Sequence, residues 1–259
     1  MSRVSQARTG YLNRDLMAIS RAHEKDRIHR SIHHKEDHQT SFNLPEIILG
    51  GQDGIVNVLG VILGVAAATV SSKIVLVAGL AATFAESVSM AAVAYTSKIA
   101  EADYYQSELE RERYEIEKFP QGEREEIKAL YENYGFKGKV LNEIIERITA
   151  DKNTWLRVMM EQELKLGKVD RKEAMPTAII VGFSALVGSF IPLLPFFFLT
   201  IKTAMVLSLV LSSLTLFFVG FYKAKMTLGR QFFKQALEMM LIGMLSAGVG
   251  YLVGSFFKV

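Results

Sequence analysis

The chain contains no cysteine. That removes disulfides, thiolate metal sites and thiol nucleophiles together, so any metal centre must use oxygen, imidazole or thioether ligands. Histidine is missing from everything after position 38, since His23, His29, His33, His34 and His38 all lie in one N-terminal stretch. A helical carboxylate centre further along would therefore lack the histidine ligands of a di-iron oxidase. No basic stripe with interleaved aromatics occurs, and the net charge of +3 is the small remainder of large opposing blocks, so nucleic acid is not expected as a partner. No apolar h-region precedes Leu44, and no cleaved signal peptide is expected. Residues 1–43 read as a charged cytoplasmic arm, either a solvated tail or a weak histidine metal collector.

What is present is hydrophobicity in blocks. Half the chain is hydrophobic while 22% is charged, and the two classes segregate rather than alternate at helix or strand period. Five apolar runs stand out: Leu44–Val70, Ile74–Tyr95, Pro176–Thr200, Ala204–Phe221 and Ala236–Phe257. Each reaches or approaches the roughly 20 residues that cross ~30 Å of hydrocarbon. Basic residues cluster in the arm and again at Lys223, Lys225, Arg230 and Lys234, whereas the opposite loops hold Lys73, Lys202 and Lys258. The positive-inside rule then puts the N-terminus in the cytoplasm. The expected fold is an all-α membrane protein: five transmembrane helices with a helical cytoplasmic insert between spans two and three. Its expected parts are the arm at 1–43, spans one and two at 44–97, the insert at 98–175, and spans three to five at 176–259.

Inside the insert, Tyr95 to Lys118 has no glycine or proline and should continue the second span, with Pro120 and Gly122 ending it. Further helices are expected over Glu123–Tyr134, Val140–Ala150 and Thr154–Leu166.

Apart from Glu46 and Glu238 near the starts of their runs, two carboxylates sit within the apolar runs, Asp53 and Glu86, on neighbouring antiparallel spans that offer no lysine or arginine to neutralise them. An ionisable group in hydrocarbon costs ~2.5 kcal/mol or more and normally faces a water-filled path or a partner. Met90 lies one turn beyond Glu86, and two carboxylates with a thioether form a candidate site for a borderline divalent metal such as Fe²⁺. Gly50, Gly54, Gly60 and Gly64, with Gly250 and Gly254, form small-x-x-x-small pairs that suit close packing within the protomer or a dimer seam. In the insert, Glu101, Glu108, Glu112 and Glu115 fall on one helical stripe, Glu123 and Glu126 repeat an i, i+3 pair, and Met159, Met160 and Glu163 share one turn. Such stripes fit either a carboxylate metal site between helices or a solvated face laced with Glu–Arg pairs.

The segments Leu49-Gly50-Gly51-Gln52-Asp53-Gly54, Ser89-Met90, Glu101-Ala102-Asp103 and Trp155 through Met159-Met160 to Glu163 resemble the vacuolar iron transporter family. The resemblance covers about residues 44–257. It implies a homodimer of five-span protomers that exchanges cytoplasmic Fe²⁺ or Mn²⁺ for protons, with the metal as substrate and no separate cofactor. It also implies a cytoplasmic metal-binding domain, with Asp53 and Met90 in the pore and Glu112, Glu115, Glu123, Glu126, Met159, Met160 and Glu163 as cytoplasmic ligands. One departure is visible. The family's intramembrane glutamate lies two turns before the methionine, where this chain has Ala82. Glu86 is displaced from that position by roughly 6 Å of helix rise. With no targeting peptide, a prokaryotic cell membrane is expected rather than a vacuole. A membrane-anchored metal store or sensor without transport is the alternative reading.

Overall fold

The computed structural model describes residues 7, 9–11, 13–24, 44–227 and 231–257. His29, His33, His34, His38, Arg230 and Lys258 lie outside the described residues, and with them all of the arm's histidines but His23. Within the arm, α1 (Leu16–Ala22) begins where Asp15 Oδ1 accepts from the backbone N–H groups of Met17 and Ala18, both at 3.0 Å. This is a side-chain cap on donors that a helix start leaves unpaired.

All regular elements among the described residues are helical. They are α2 (Leu44–Ala68), α3 (Ser72–Lys118), α4 (Pro120–Asn133), α5 (Gly138–Thr149), α6 (Lys152–Val158), a π-helical turn (Met159–Glu163), α7 (Ala174–Leu193), α8 (Ile201–Thr227) and α9 (Phe232–Phe256). Short 3₁₀ turns at Arg171–Glu173 and Leu194–Phe197 flank α7. Five of these helices, α2, α3, α7, α8 and α9, are long and apolar enough to cross a membrane. The chain divides into two compact units, residues 1–91 with 180–259, and residues 92–179.

In the first unit, glycine decides how closely the helices pack. A Cβ on Gly64 would come within 2.8 Å of the Gly250 carbonyl oxygen, and one on Gly254 would collide with the backbone of Gly64. The opposite face of α2 behaves likewise, with Gly50 against Val181, Gly54 against Ala185 and Gly51 against Gly188 of α7. The glycine rows are therefore taken up by packing within the protomer, one of the two uses their spacing allowed. Val58, Ile62, Val75, Leu193, Phe196 and Ala204 form an apolar cluster around this scaffold. Pro192 lies inside α7 and Pro195 in the 3₁₀ turn after it, so the helix tightens and ends there. The buried Ser208 hydroxyl donates to the Pro192 carbonyl at 2.6 Å.

In the second unit, α5 carries Leu141, Ile145 and Ile148 on one face, the i, i+4, i+7 spacing of an amphipathic helix. They bury against Ile116 of α3, Ile127 of α4, and Trp155, Met159 and Met160. Two local expectations shift. The break after α3 is Phe119 alone, because Pro120 takes the first position of α4, where a missing N–H costs nothing. Gly122 sits inside that first turn. The last helix is not uniform either, since α6 gives way at Met159 to the π turn, where the Leu164 N–H donates to the Met159 carbonyl at 3.0 Å.

Candidate metal centres

The second unit gathers the glutamates that the sequence placed on three separate segments. Glu112 and Glu115 come from α3 and Glu123 from the first turn of α4, and one carboxylate oxygen of each lies within 4.8 Å of the others. A helix break one residue long between Lys118 and Pro120 makes this possible by folding α4 back so that its first turn faces the last turns of α3. Burial is deep for a carboxylate: Glu112 is 1% exposed and Glu123 5%. Met159 and Met160 are buried in the hydrophobic cluster that also holds Ile116 and Ile127. The π turn, a wider turn often found at functional sites, carries both methionines together with Glu163.

The electrostatics of this cluster suit a cation. Burial pushes the Glu123 carboxyl up to about 8, helped by Glu112, Glu126, Glu115 and Glu163. Burial likewise pushes Glu163 up to about 7, with Glu126 and Glu112 adding to it and Arg111 opposing. Glu112 is raised by burial, although the adjacent Arg111 pulls it back. Like charges in a low-dielectric site favour the protonated form. Three oxygens, Glu112 Oε2, Glu123 Oε2 and Glu163 Oε2, are buried with no hydrogen-bond partner. Buried acceptors are normally satisfied, and a divalent cation satisfies several at once. Glu126 is exposed at the edge of the cluster, close enough for its charge to act on Glu112, Glu123 and Glu163. Oxygen ligands with two thioethers nearby suit Mn²⁺ or Fe²⁺. Glu101, on the same sequence stripe, instead pairs with Lys98 at 2.9 Å.

The first unit holds the second candidate. Glu86 of α3 lies beside the side chains of Asp53 and Asn57 of α2, close enough to interact with both. The two carboxyls expected on adjacent spans therefore meet, and a carboxamide one turn beyond Asp53 joins them. Asn57 was visible in the sequence only as a polar interruption of an apolar run. Its signal is its i+4 spacing from Asp53, which puts both on one face of α2. Met90 is half-buried one turn beyond Glu86 on α3. Ala82, one turn before Glu86, packs against the apolar cluster of Val58, Ile62 and Val75.

Comparison with known proteins adds an independent line. A profile of the VIT family matches residues 44–255. The chain is 33% identical over 230 residues to vacuolar iron transporter 1 of Oryza sativa subsp. japonica, covering 88% of this chain and 91% of the relative. It is 32% identical over 221 residues to vacuolar iron transporter 1 of Arabidopsis thaliana, covering 85% of this chain and 88% of that one. A vacuolar iron transporter of Plasmodium falciparum is 33% identical over 264 residues, with 98% and 96% coverage.

Proposed function

This chain belongs to the VIT family, and on that premise we propose that it carries divalent iron across a membrane, out of the cytoplasm and in exchange for protons. Mn²⁺ is the second substrate we assign, since oxygen ligands serve both ions and the methionines lean towards iron. The observation that carries the reading is the Asp53–Glu86 contact between two membrane-crossing helices. Two carboxylates held side by side between apolar helices repel one another, and either protons or a divalent ion can relieve that repulsion. One site of this kind thus takes up either cation, which is the requirement for exchange.

In this mechanism the glutamate–methionine cluster of residues 92–179 collects the ion on the cytoplasmic side. Asp53, Glu86 and Met90 receive it within the membrane, and Asn57 contributes a neutral oxygen. Protonation of the carboxyl pair from the far side releases it. We assign a homodimer in a prokaryotic cell membrane, with the N-terminus in the cytoplasm, and no enzymatic step. The family resemblance supports the homodimer, and the distribution of lysine and arginine supports the cytoplasmic N-terminus.

Uptake into proteoliposomes under opposed pH gradients tests the reading, with Fe²⁺, Mn²⁺ and Zn²⁺ compared. Flux should follow the proton gradient and collapse in Asp53→Ala and Glu86→Ala. Wild-type flux in both variants would remove the pore assignment. Metal binding with no flux at all would leave the store or sensor reading in its place.

A further inference from the structure

Arg111 stands between solvent and the buried glutamates, and its guanidinium is fully engaged. Nε and Nη2 donate to Glu108 Oε2 at 3.0 and 2.9 Å. The same Nη2 lies 2.7 Å from Glu112 Oε1, and Nη1 pairs with Glu115 Oε2. Helix spacing accounts for part of this, because Glu108, Arg111 and Glu115 are related by i, i+3 and i, i+4. It does not account for Glu112, the next residue along, which should face away from Arg111. Glu112 is reached all the same, and its two oxygens end in different surroundings. Oε1 is held by Arg111, while Oε2 is buried without a partner.

We propose that Arg111 is a positioning residue of the Glu112–Glu115–Glu123 site, anchored by Glu108, which holds the outer oxygens of two ligands so that their free oxygens face a divalent cation. The inference rests on the reading of this cluster as a cation site. An ordinary exposed ion pair contributes ~1 kcal/mol or less and positions nothing. This one differs because one arm of its fork touches a carboxylate whose side chain is 2% exposed. The planar fork also matters in itself. Three carboxylates are bonded at once in fixed directions, which the compact ammonium of lysine does not reproduce. Partners that orient metal ligands typically change affinity by about 10- to 100-fold when removed.

The experiment is Mn²⁺ titration of the full chain in detergent, followed by calorimetry, with the Co²⁺ visible spectrum as a reporter of ligand geometry. Glu123→Gln establishes the site, and Lys128→Gln is the control, since Lys128 forms an exposed i, i+3 pair with Glu125. Arg111→Gln should weaken Mn²⁺ binding about 10-fold or more. Arg111→Lys should not restore it and should change the Co²⁺ spectrum although the charge is kept. Glu108→Gln should weaken binding by a smaller factor, and Lys128→Gln should leave it unchanged. If Glu123→Gln weakens binding but Arg111→Gln binds as tightly as wild type, or more tightly, the positioning role is overturned and the site survives. If Glu123→Gln itself binds like wild type, the site and the role fall together.

Discussion

Metal capture by the glutamate cluster should be a proton exchange, and its size follows from two carboxyls. Glu123 is held up at about 8 and Glu163 at about 7, so both carry protons in the empty cluster at pH 6 and must lose them to act as anionic ligands. Each pH unit below a group's pKa costs a factor of ten, or ~1.4 kcal/mol. At pH 6 the penalty is thus about 100-fold for Glu123 and about tenfold for Glu163; at pH 8 it is about twofold and negligible. Mn²⁺ affinity should therefore rise roughly 10²- to 10³-fold between pH 6 and pH 8. Calorimetry in buffers of different ionisation enthalpy counts the protons directly: about two released per ion at pH 6 and fewer than one at pH 8. Glu123→Gln removes the larger contribution, so its affinity should be lower overall and rise only about tenfold over the same range. A flat pH profile in wild type, or release of no protons at pH 6, refutes the reasoning.

The same two groups set how the stability of the metal-free protein varies with pH. Their pKa values are raised by folding, so the stability they contribute is fully present below ~4.3, the value in the unfolded chain. It is lost as pH climbs through 7 and 8. The metal-free protein should melt at a lower temperature at pH 8 than at pH 5, and Mn²⁺ should reverse the order because the cation binds the deprotonated, folded form.

Three further outcomes are expected. Asn57→Leu should lower Fe²⁺ uptake into proteoliposomes about tenfold while leaving the thermal melt unchanged; unaltered uptake would separate Asn57 from the carboxyl pair. Gly250→Val puts a side chain against the Gly60 backbone, at a cost of at least ~1–3 kcal/mol, so the melting temperature in detergent should fall by several degrees; an unchanged melt would show that α2 and α9 separate easily. Ser208→Ala removes the donor to the buried Pro192 carbonyl, so stability should drop by ~1–3 kcal/mol without loss of metal binding, as measured by thermal melting alongside Mn²⁺ titration.

Much of this was legible because membrane helices are specified locally. Hydrocarbon demands a long apolar run whatever its neighbours do, so α2, α3, α7, α8 and α9 could each be read one at a time. The glutamate stripe of α3 was legible for a similar reason, as helical spacing alone brings Glu108, Glu112 and Glu115 together. The π turn was not. Met159 to Glu163 is a run of good helix formers, and nothing in its composition distinguishes a π turn from a continuing α-helix. The third-party contacts of Arg111 were hidden too, because its contact with the adjacent Glu112 contradicts the spacing rule that reveals the pairs with Glu108 and Glu115.

The position of Glu86 shows what sequence spacing omits most clearly. Measured along α3 alone, Glu86 is simply a carboxylate one turn before Met90. The neighbouring helix gives a different account. Position 82 packs against Val58, Ile62 and Val75, where a charge would meet hydrocarbon side chains and no partner. Position 86 meets Asp53 and Asn57, the polar face of α2. The close helix contacts that glycine permits along α2 and between Gly79 and Leu193 fix this register, and those contacts lie between segments far apart in the chain. Position 86 is thus where a carboxyl on α3 finds polar side chains on the adjacent helix, and position 82 is where it would not.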